Sequence, residues 1–227
     1  MSDLLDHPRE VIDVYYGFVN QPWSQTVWLK QLQRLPQSLQ DKVLRFRRWQ
    51  DQHMALLAKL LLLQGLVARG EGGDCLERFE IDDCGRPYIL GAADFNLSHS
   101  GGAVVCAISR YGKVGVDVEL SRSLEPDHFT LCMTPQQIES FHQADDPSQA
   151  LLQLWVAKES AAKAKGVGLG FDFRKMICSP ERITMNQDHY ALHALDIHSA
   201  YLCCVATPYS QCKIHRHPRC DLPCATI

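Results

Sequence analysis

The segment LLQLWVAKESAAKAKGVGLG, residues 151–170, constrains this chain more than any other. Leu, Ala, Gln, Lys and Glu dominate it as far as Lys165, and all are strong helix formers. Leu151, Leu154 and Trp155 recur at helical spacing, while Ala161 and Ala162 leave room for a close neighbour. Gly166, Gly168 and Gly170 then stop the helix, because glycine readily takes the left-handed conformation found just past helix ends. Glu159 and Lys163 stand four residues apart and share one face. That face can set a carboxylate on a metal ion and an ammonium on a neighbouring phosphate. It can equally be a solvated ion pair contributing about 0.2–0.5 kcal/mol.

At 227 residues the chain can bury one sizeable core or two modest ones. Hydrophobic content of 46% with 22% charged residues is that of a folded globular protein. A formal net charge of -3 offers no global attraction to nucleic acid or to an anionic membrane, so neither is expected as a partner. The acidic start MSDLLDHPRE lacks the basic and apolar regions of a signal peptide. The most apolar run, residues 55–68, is interrupted by Lys59 and Gln64 and is too short to span a bilayer. Ten cysteines without an export signal read as reduced thiols, which predicts a cytoplasmic protein.

In chain order, VIDVYYGFV (11–19) reads as a first strand. A long helical pattern begins at Pro36 and runs to Ala68, with a break at 47–51 where polar residues interrupt the periodicity. Lys42, Arg45, Arg47 and Arg48 make a basic cluster beside Trp49, suited either to a phosphorylated ligand or to plain solvation. Short strands are predicted at 79–81 and 103–108, and a turn at Asp82-Asp83-Cys84-Gly85. In the strand 114–120, Val114, Val116, Val118 and Leu120 share one face and Asp117 and Glu119 the other. Paired strand carboxylates can hold a hard cation, although a charged edge strand would look the same. A helix is expected at 135–141, and strands at 176–178, 183–185, 190–195 and 200–206.

The C-terminal segment carries Cys212, His215, His217, Cys220 and Cys224, with Cys212-x2-His215 and Cys220-x3-Cys224 spacings that a tetrahedral metal tolerates. Cys203 and Cys204 lie in a strand-like run and read as core. The segment is either a structural metal site or a loosely packed tail.

Together the motifs G-x-P-Y, N-x-S-H-S, G-x-D-x-E and W-x-x-K-E-S, in that order between about Arg45 and Gly170, resemble the 4'-phosphopantetheinyl transferases. The resemblance is to the larger, monomeric, surfactin-synthetase-activating type. It implies an α+β fold of two similar α/β halves in a pseudo-twofold arrangement, here residues 1–111 and 112–227. It also implies transfer of 4'-phosphopantetheine from coenzyme A to a serine of an apo acyl or peptidyl carrier protein, with release of adenosine 3',5'-bisphosphate. By the matching motifs, Asp117, Glu119 and Glu159 would bind Mg²⁺. Lys163 would bind the phosphates, and Glu159, directly or through a metal-bound water, would accept the serine proton. Ser98 and His99 would hold a phosphate of coenzyme A and Arg86 its nucleotide end, with Lys158 assisting. Arg45, Arg47 and Arg48 are candidates for the 3'-phosphate. Ala55 stands where some relatives carry a hydroxyl. Residues 129–141, with Met133 and Ile138, would add an apolar carrier-docking surface or equally belong to the core. Two other readings stay open: a different Mg²⁺-dependent phosphotransfer or hydrolysis enzyme, and a non-catalytic zinc-binding Cys/His module.

Overall fold

Two sheets, each backed by one long helix, carry the chain; the computed structural model describes residues 10–219. Strand β1 (Glu10–Phe18) forms where β-branched and aromatic residues predict it. Helices α1 (Gln25–Leu32), α2 (Gln37–Leu44) and α3 (Trp49–Ala68) follow. The break expected at 47–51 lies at 45–48, and Pro36 sits just outside α2 as its N-cap. The sequence does not predict α1, which is short and buries only Leu32 fully, though the Ser24 hydroxyl caps it by accepting from the Val27 amide. In contrast, α3 buries residues all round, including Leu56, Leu57, Leu60, Leu61 and Leu66. Each such leucine is stabilised by about 1.5–3 kcal/mol on leaving water, which makes α3 the anchor of the first half.

A ribbon of β2 (Phe79–Ile81) and β3 (Pro87–Ile89) leads into β4 (Asp94–Ser100) and β5 (Ala103–Ser109). The second half comprises β6 (Gly115–Leu120), α4 (Pro135–His142), α5 (Pro147–Lys165), β7 (Ile177–Ser179), β8 (Arg182–Met185), β9 (Asp188–Ala194) and β10 (Tyr201–Thr207). A last strand, β11 (Cys212–Pro218), returns to pair in parallel with β1. The sheets are ordered β11-β1-β5-β4 and β6-β10-β9-β8-β7. Strand β11 is thus the exception to a simple division of the chain at residue 111, because it joins the first sheet.

Alternation along the strands produces separate cores. Tyr15, Val104 and Ile108 pack against the leucines of α3. Ile12, Val14, Val105, Val116, Val118 and Val205 fill the space between the sheets. Ala161, Ala164, Met185 and Ala206 lie between α5 and the second sheet. The class is α+β, as the sequence predicts. Among the described residues no helix is long and apolar enough to cross a membrane.

Within the described residues the C-terminal segment is a strand and not a Cys-x2-His site. Residues 212–218 are strand, so Cys212 and His215, three apart, point to opposite faces. Cys220 and Cys224 lie outside the described residues.

Helix α5 starts earlier than its apolar stripe, because Asp146 accepts from the Gln149 amide ahead of Pro147 at its first turn. It ends where Gly166 turns left-handed at φ 77°. Between these ends it lies directly on β6. A Cβ on Gly115 would stand 2.0 Å from the Ser160 carbonyl oxygen and 2.4 Å from the Ala164 nitrogen. Both are backbone atoms of α5 and cannot rotate aside. Gly115→Ala is therefore expected to lower stability by about 1–3 kcal/mol or more, the usual cost of overpacking, read as an earlier urea midpoint.

Candidate active site

Strands β4 and β6 are edges of different sheets, yet side chains stitch them together. Asp94 Oδ2, Asn96 Oδ1, Ser98 Oγ and Ser100 Oγ accept from the amides of Val114, Val116, Val118 and Leu120, at 2.9, 3.0, 3.3 and 3.3 Å. The period of two on both strands makes this possible. Residues 94, 96, 98 and 100 share one face of β4, and alternate amides of β6 point away from its partner β10. The two serine hydroxyls also donate: Ser98 to Asp117 Oδ1 at 2.9 Å, and Ser100 to Glu119 Oε2 at 2.6 Å. The N-x-S-H-S motif thereby aims both carboxylates of β6.

Helix α5 brings Glu159 and Lys163 to the same place. The Lys163 ammonium contacts Asp117 Oδ1 at 2.6 Å and Ser98 Oγ at 3.1 Å. Asp117 is buried, and its Oδ2 has no hydrogen-bond partner. Burial pushes the Glu159 carboxyl above its ordinary value; the Lys163 charge opposes this, while Asp117 and Glu119 add to it. Three carboxylates thus face one ammonium, with one buried oxygen unsatisfied, which is an arrangement that calls for a cation. Their oxygens are not drawn into a tight protein cage: among the described residues, the trio within 4.8 Å is a different one. That openness fits Mg²⁺, which usually takes one or two carboxylates and keeps water and phosphate oxygens.

Cations of the first half approach the same cluster. Desolvation lowers the pKa of His99, and the charges of Lys163 and Lys59 push the same way. Lys59, on α3, lies over the Phe79 ring at 5.2 Å, and burial brings its pKa down to about 8. The sequence reading passes over Lys59, yet a signal is present. It is the only Lys, Arg, Asp or Glu between Asp51 and Arg69, in a run otherwise almost wholly apolar. Arg45, Arg47 and Arg48 are exposed around the break between α2 and α3. Ala55 is half-buried against the α3 core.

Two expected ligand-binding side chains are placed otherwise. Lys158 is fully buried, and its ammonium donates to the carbonyls of Cys132 and Phe173 and to Gln137 Oε1. It neighbours Glu159 in sequence, but adjacent helix residues point about 100° apart, so Lys158 supports the α4–α5 region instead. Arg86 donates to the Lys163 carbonyl, to Asp94 Oδ2 at 2.7 Å, and to the carbonyls of Phe95 and Val114 at 3.1 and 2.9 Å. Its guanidinium is a clamp between α5, β4 and β6, not a free nucleotide contact. In the expected docking segment, Met133 and Phe141 are core, Phe129 and Ile138 pack against them, and Leu131 is exposed.

Carboxylates and cations thus converge at the seam of the two sheets. The 4'-phosphopantetheinyl transferase superfamily model matches residues 113–206, the stretch from the start of β6 through most of β10. A Haemophilus influenzae protein provisionally named a 4'-phosphopantetheinyl transferase is 32% identical over 69% of this chain and 68% of its own length. The 4'-phosphopantetheinyl transferase Sfp of Bacillus subtilis strain 168 is 29% identical, over 69% of this chain and 71% of its length. A further Bacillus subtilis 4'-phosphopantetheinyl transferase is 28% identical over the same shares. This chain belongs to the 4'-phosphopantetheinyl transferase superfamily and is an enzyme of that class.

The reassignment of Lys158 has a direct consequence. Lys158→Met removes one buried donor from three acceptors, so stability should fall by about 1–3 kcal/mol in chemical denaturation. The transferase activity of the folded variant should stay within about twofold of the parent, because a structural residue leaves the site's own contacts intact.

Proposed function

We propose that the chain transfers 4'-phosphopantetheine from coenzyme A to a serine hydroxyl of an apo acyl or peptidyl carrier protein. The observation that carries this reading is the convergence of Asp117, Glu119, Glu159 and Lys163 on one open site, with the Asp117 Oδ2 unsatisfied. On this reading the serine oxygen attacks the phosphorus that bears pantetheine and forms the new phosphodiester bond. The pyrophosphate P–O bond breaks, its electrons leave with adenosine 3',5'-bisphosphate, and the serine proton passes to a base.

Asp117, Glu119 and Glu159 would hold the Mg²⁺, which when bound supplies charge neutralisation at the pyrophosphate oxygens. Glu159, directly or through a metal-bound water, is the base that takes the serine proton. Lys163 serves the phosphates, aligned by Ser98 and Asp117 in the free enzyme. Lys59 supplies further positive charge for a donor phosphate and His99 a ring N–H, while Arg45, Arg47 and Arg48 precede the N-terminus of α3. Arg86 keeps α5 in register through the Lys163 carbonyl and acts as a positioning residue. The pseudo-twofold relation of the halves, the monomeric state and a cytoplasmic location extend the reading on the family resemblance alone.

Intact-mass analysis of apo carrier proteins incubated with the enzyme, coenzyme A and Mg²⁺ tests the reaction. One added phosphopantetheine is expected, with the rate falling by about 10²–10⁴-fold in Glu159→Ala, the range for loss of a catalytic base. Coenzyme A cleavage without any carrier modification would point to a hydrolase and refute the transfer.

Lys59 gives a pH signature. A phosphate favours the charged ammonium, and the free enzyme loses that charge as pH rises through about 8. Coenzyme A affinity is therefore expected to hold below that pH and decline above it. In Lys59→Met the affinity should start about tenfold or more weaker, the worth of one charged hydrogen bond, and the decline should disappear. An unchanged profile in the variant would remove Lys59 from the donor site.

A further inference from the structure

Away from the catalytic cluster, the first and last strands of the described chain bring three metal-ligating side chains together. In the parallel pairing of β1 and β11, Asp13 lies opposite His215 and Tyr15 opposite His217. Strand alternation puts all four on one face, the face of β1 that carries Tyr15 against the α3 core. His217 Nε2 stands 2.8 Å from Asp13 Oδ1, and His215 Nδ1 stands 3.6 Å from the same oxygen. One ligand atom from each residue lies within 4.8 Å of the other two.

The set is held from outside. Arg69, at the end of α3, grips Asp13 Oδ2 with Nε at 3.0 Å and Nη2 at 2.7 Å, and its Nη2 also reaches the carbonyls of Val11 and Ile108. This turns Oδ1 toward the imidazoles. The Tyr15 ring stacks on His217 at 4.5 Å and 14°, fixing that ring's plane. Ligand-orienting partners of this kind are what metal sites place behind their first ligands.

A carboxylate–imidazole hydrogen bond accounts for His217 but gives His215 no part, since 3.6 Å is too long for one. That separation is close to the ~3.3 Å between two ligand atoms on a tetrahedral ion with bonds of about 2.0–2.1 Å. We propose that Asp13, His215 and His217 form a binding site for a borderline divalent cation such as Zn²⁺, with water completing the coordination. Arg69 offsets the charge of Asp13, so a hard cation dependent on carboxylate charge gains little, whereas two imidazoles suit Zn²⁺. An ion has access, because the side chains of His215 and His217 are 54% and 39% exposed. Once bound, it fastens β11 to β1, linking chain segments about as far apart in sequence as the described chain allows. Cys212 is not part of the site, since its Sγ faces His193 Nε2 at 3.3 Å on the other side of β11.

The test is a calorimetric titration of the untagged full chain with Zn²⁺ in excess Mg²⁺, which competes for carboxylates but poorly for imidazoles. One equivalent is expected that survives in Glu159→Ala. The same equivalent should weaken by at least about 10–100-fold in His215→Ala and His217→Ala, since even second-layer partners cost that much. His215→Ala removes an exposed side chain and keeps the fold, so Zn²⁺ should raise the melting temperature of the parent and leave this variant's unchanged. Undiminished Zn²⁺ binding and melting shift in His215→Ala would overturn the proposal, as would loss of the equivalent in Glu159→Ala.

Discussion

The seam between β4 and β6 is the interaction on which the rest of the molecule depends. Each strand is the edge of its own sheet, and a bare edge exposes a row of unpaired amides. Here the amides of β6 are satisfied by side chains of β4 at a constant separation of twenty residues, from Asp94 with Val114 to Ser100 with Leu120. The chemistry at each rung follows from what that rung must do. Asn96 accepts from an amide of β6, and an amide oxygen is enough. Ser98 and Ser100 must accept from an amide and donate to a carboxylate at once, and a hydroxyl does both. Asp94 meets an amide, Arg86 and Lys113 together, which suits two carboxylate oxygens.

The same seam fixes α5. Gly115 lets the helix lie on β6 at backbone contact, and Arg86 reaches from the first half to a carbonyl in its last turn. That carbonyl is one a helix leaves without an internal partner, and a cation is favoured at a helix C-terminus. Helix, strand pair and first sheet are therefore held by contacts that all pass within a few residues of Asp117 and Lys163. Precision at the site is a by-product of how the halves are joined.

Much of this is legible in the sequence, and the rest fails for identifiable reasons. The α5 helix and the Asp117–Glu119 strand follow from periodicity and glycine placement, which are local, whereas the α+β class follows from the family resemblance. Lys158 misleads because its neighbour Glu159 belongs to the site, and a one-residue step on a helix changes the direction by more than a right angle's worth of surroundings. Arg86 misleads because a motif arginine reads as a ligand contact until its four acceptors are visible, and those acceptors are 8 to 77 residues away. By spacing alone the tail's cysteines and histidines make one set; strand alternation separates Cys212 from His215, and parallel pairing supplies Asp13 from the other end of the described chain. Long-range partners are what a single sequence hides.

The free enzyme also holds its charges in a particular order. Lys163 is engaged with Asp117 while Glu159 lies among like charges and is pushed toward its protonated form. On the proposed reading, a donor pyrophosphate is a better partner for Lys163 than a single carboxylate, because it offers more charge and more oxygens. As the ammonium turns to phosphate, Asp117 loses that cation and keeps the Ser98 hydroxyl on Oδ1, so the site carries more uncompensated negative charge at the moment the donor arrives. Cation and donor are then bound with mutual support, and the coupling is reciprocal: whatever the pyrophosphate gains from the ion, the ion gains from the pyrophosphate. The Lys163–Asp117 pair thus keeps like charges apart in the absence of substrate and yields when substrate makes that protection unnecessary.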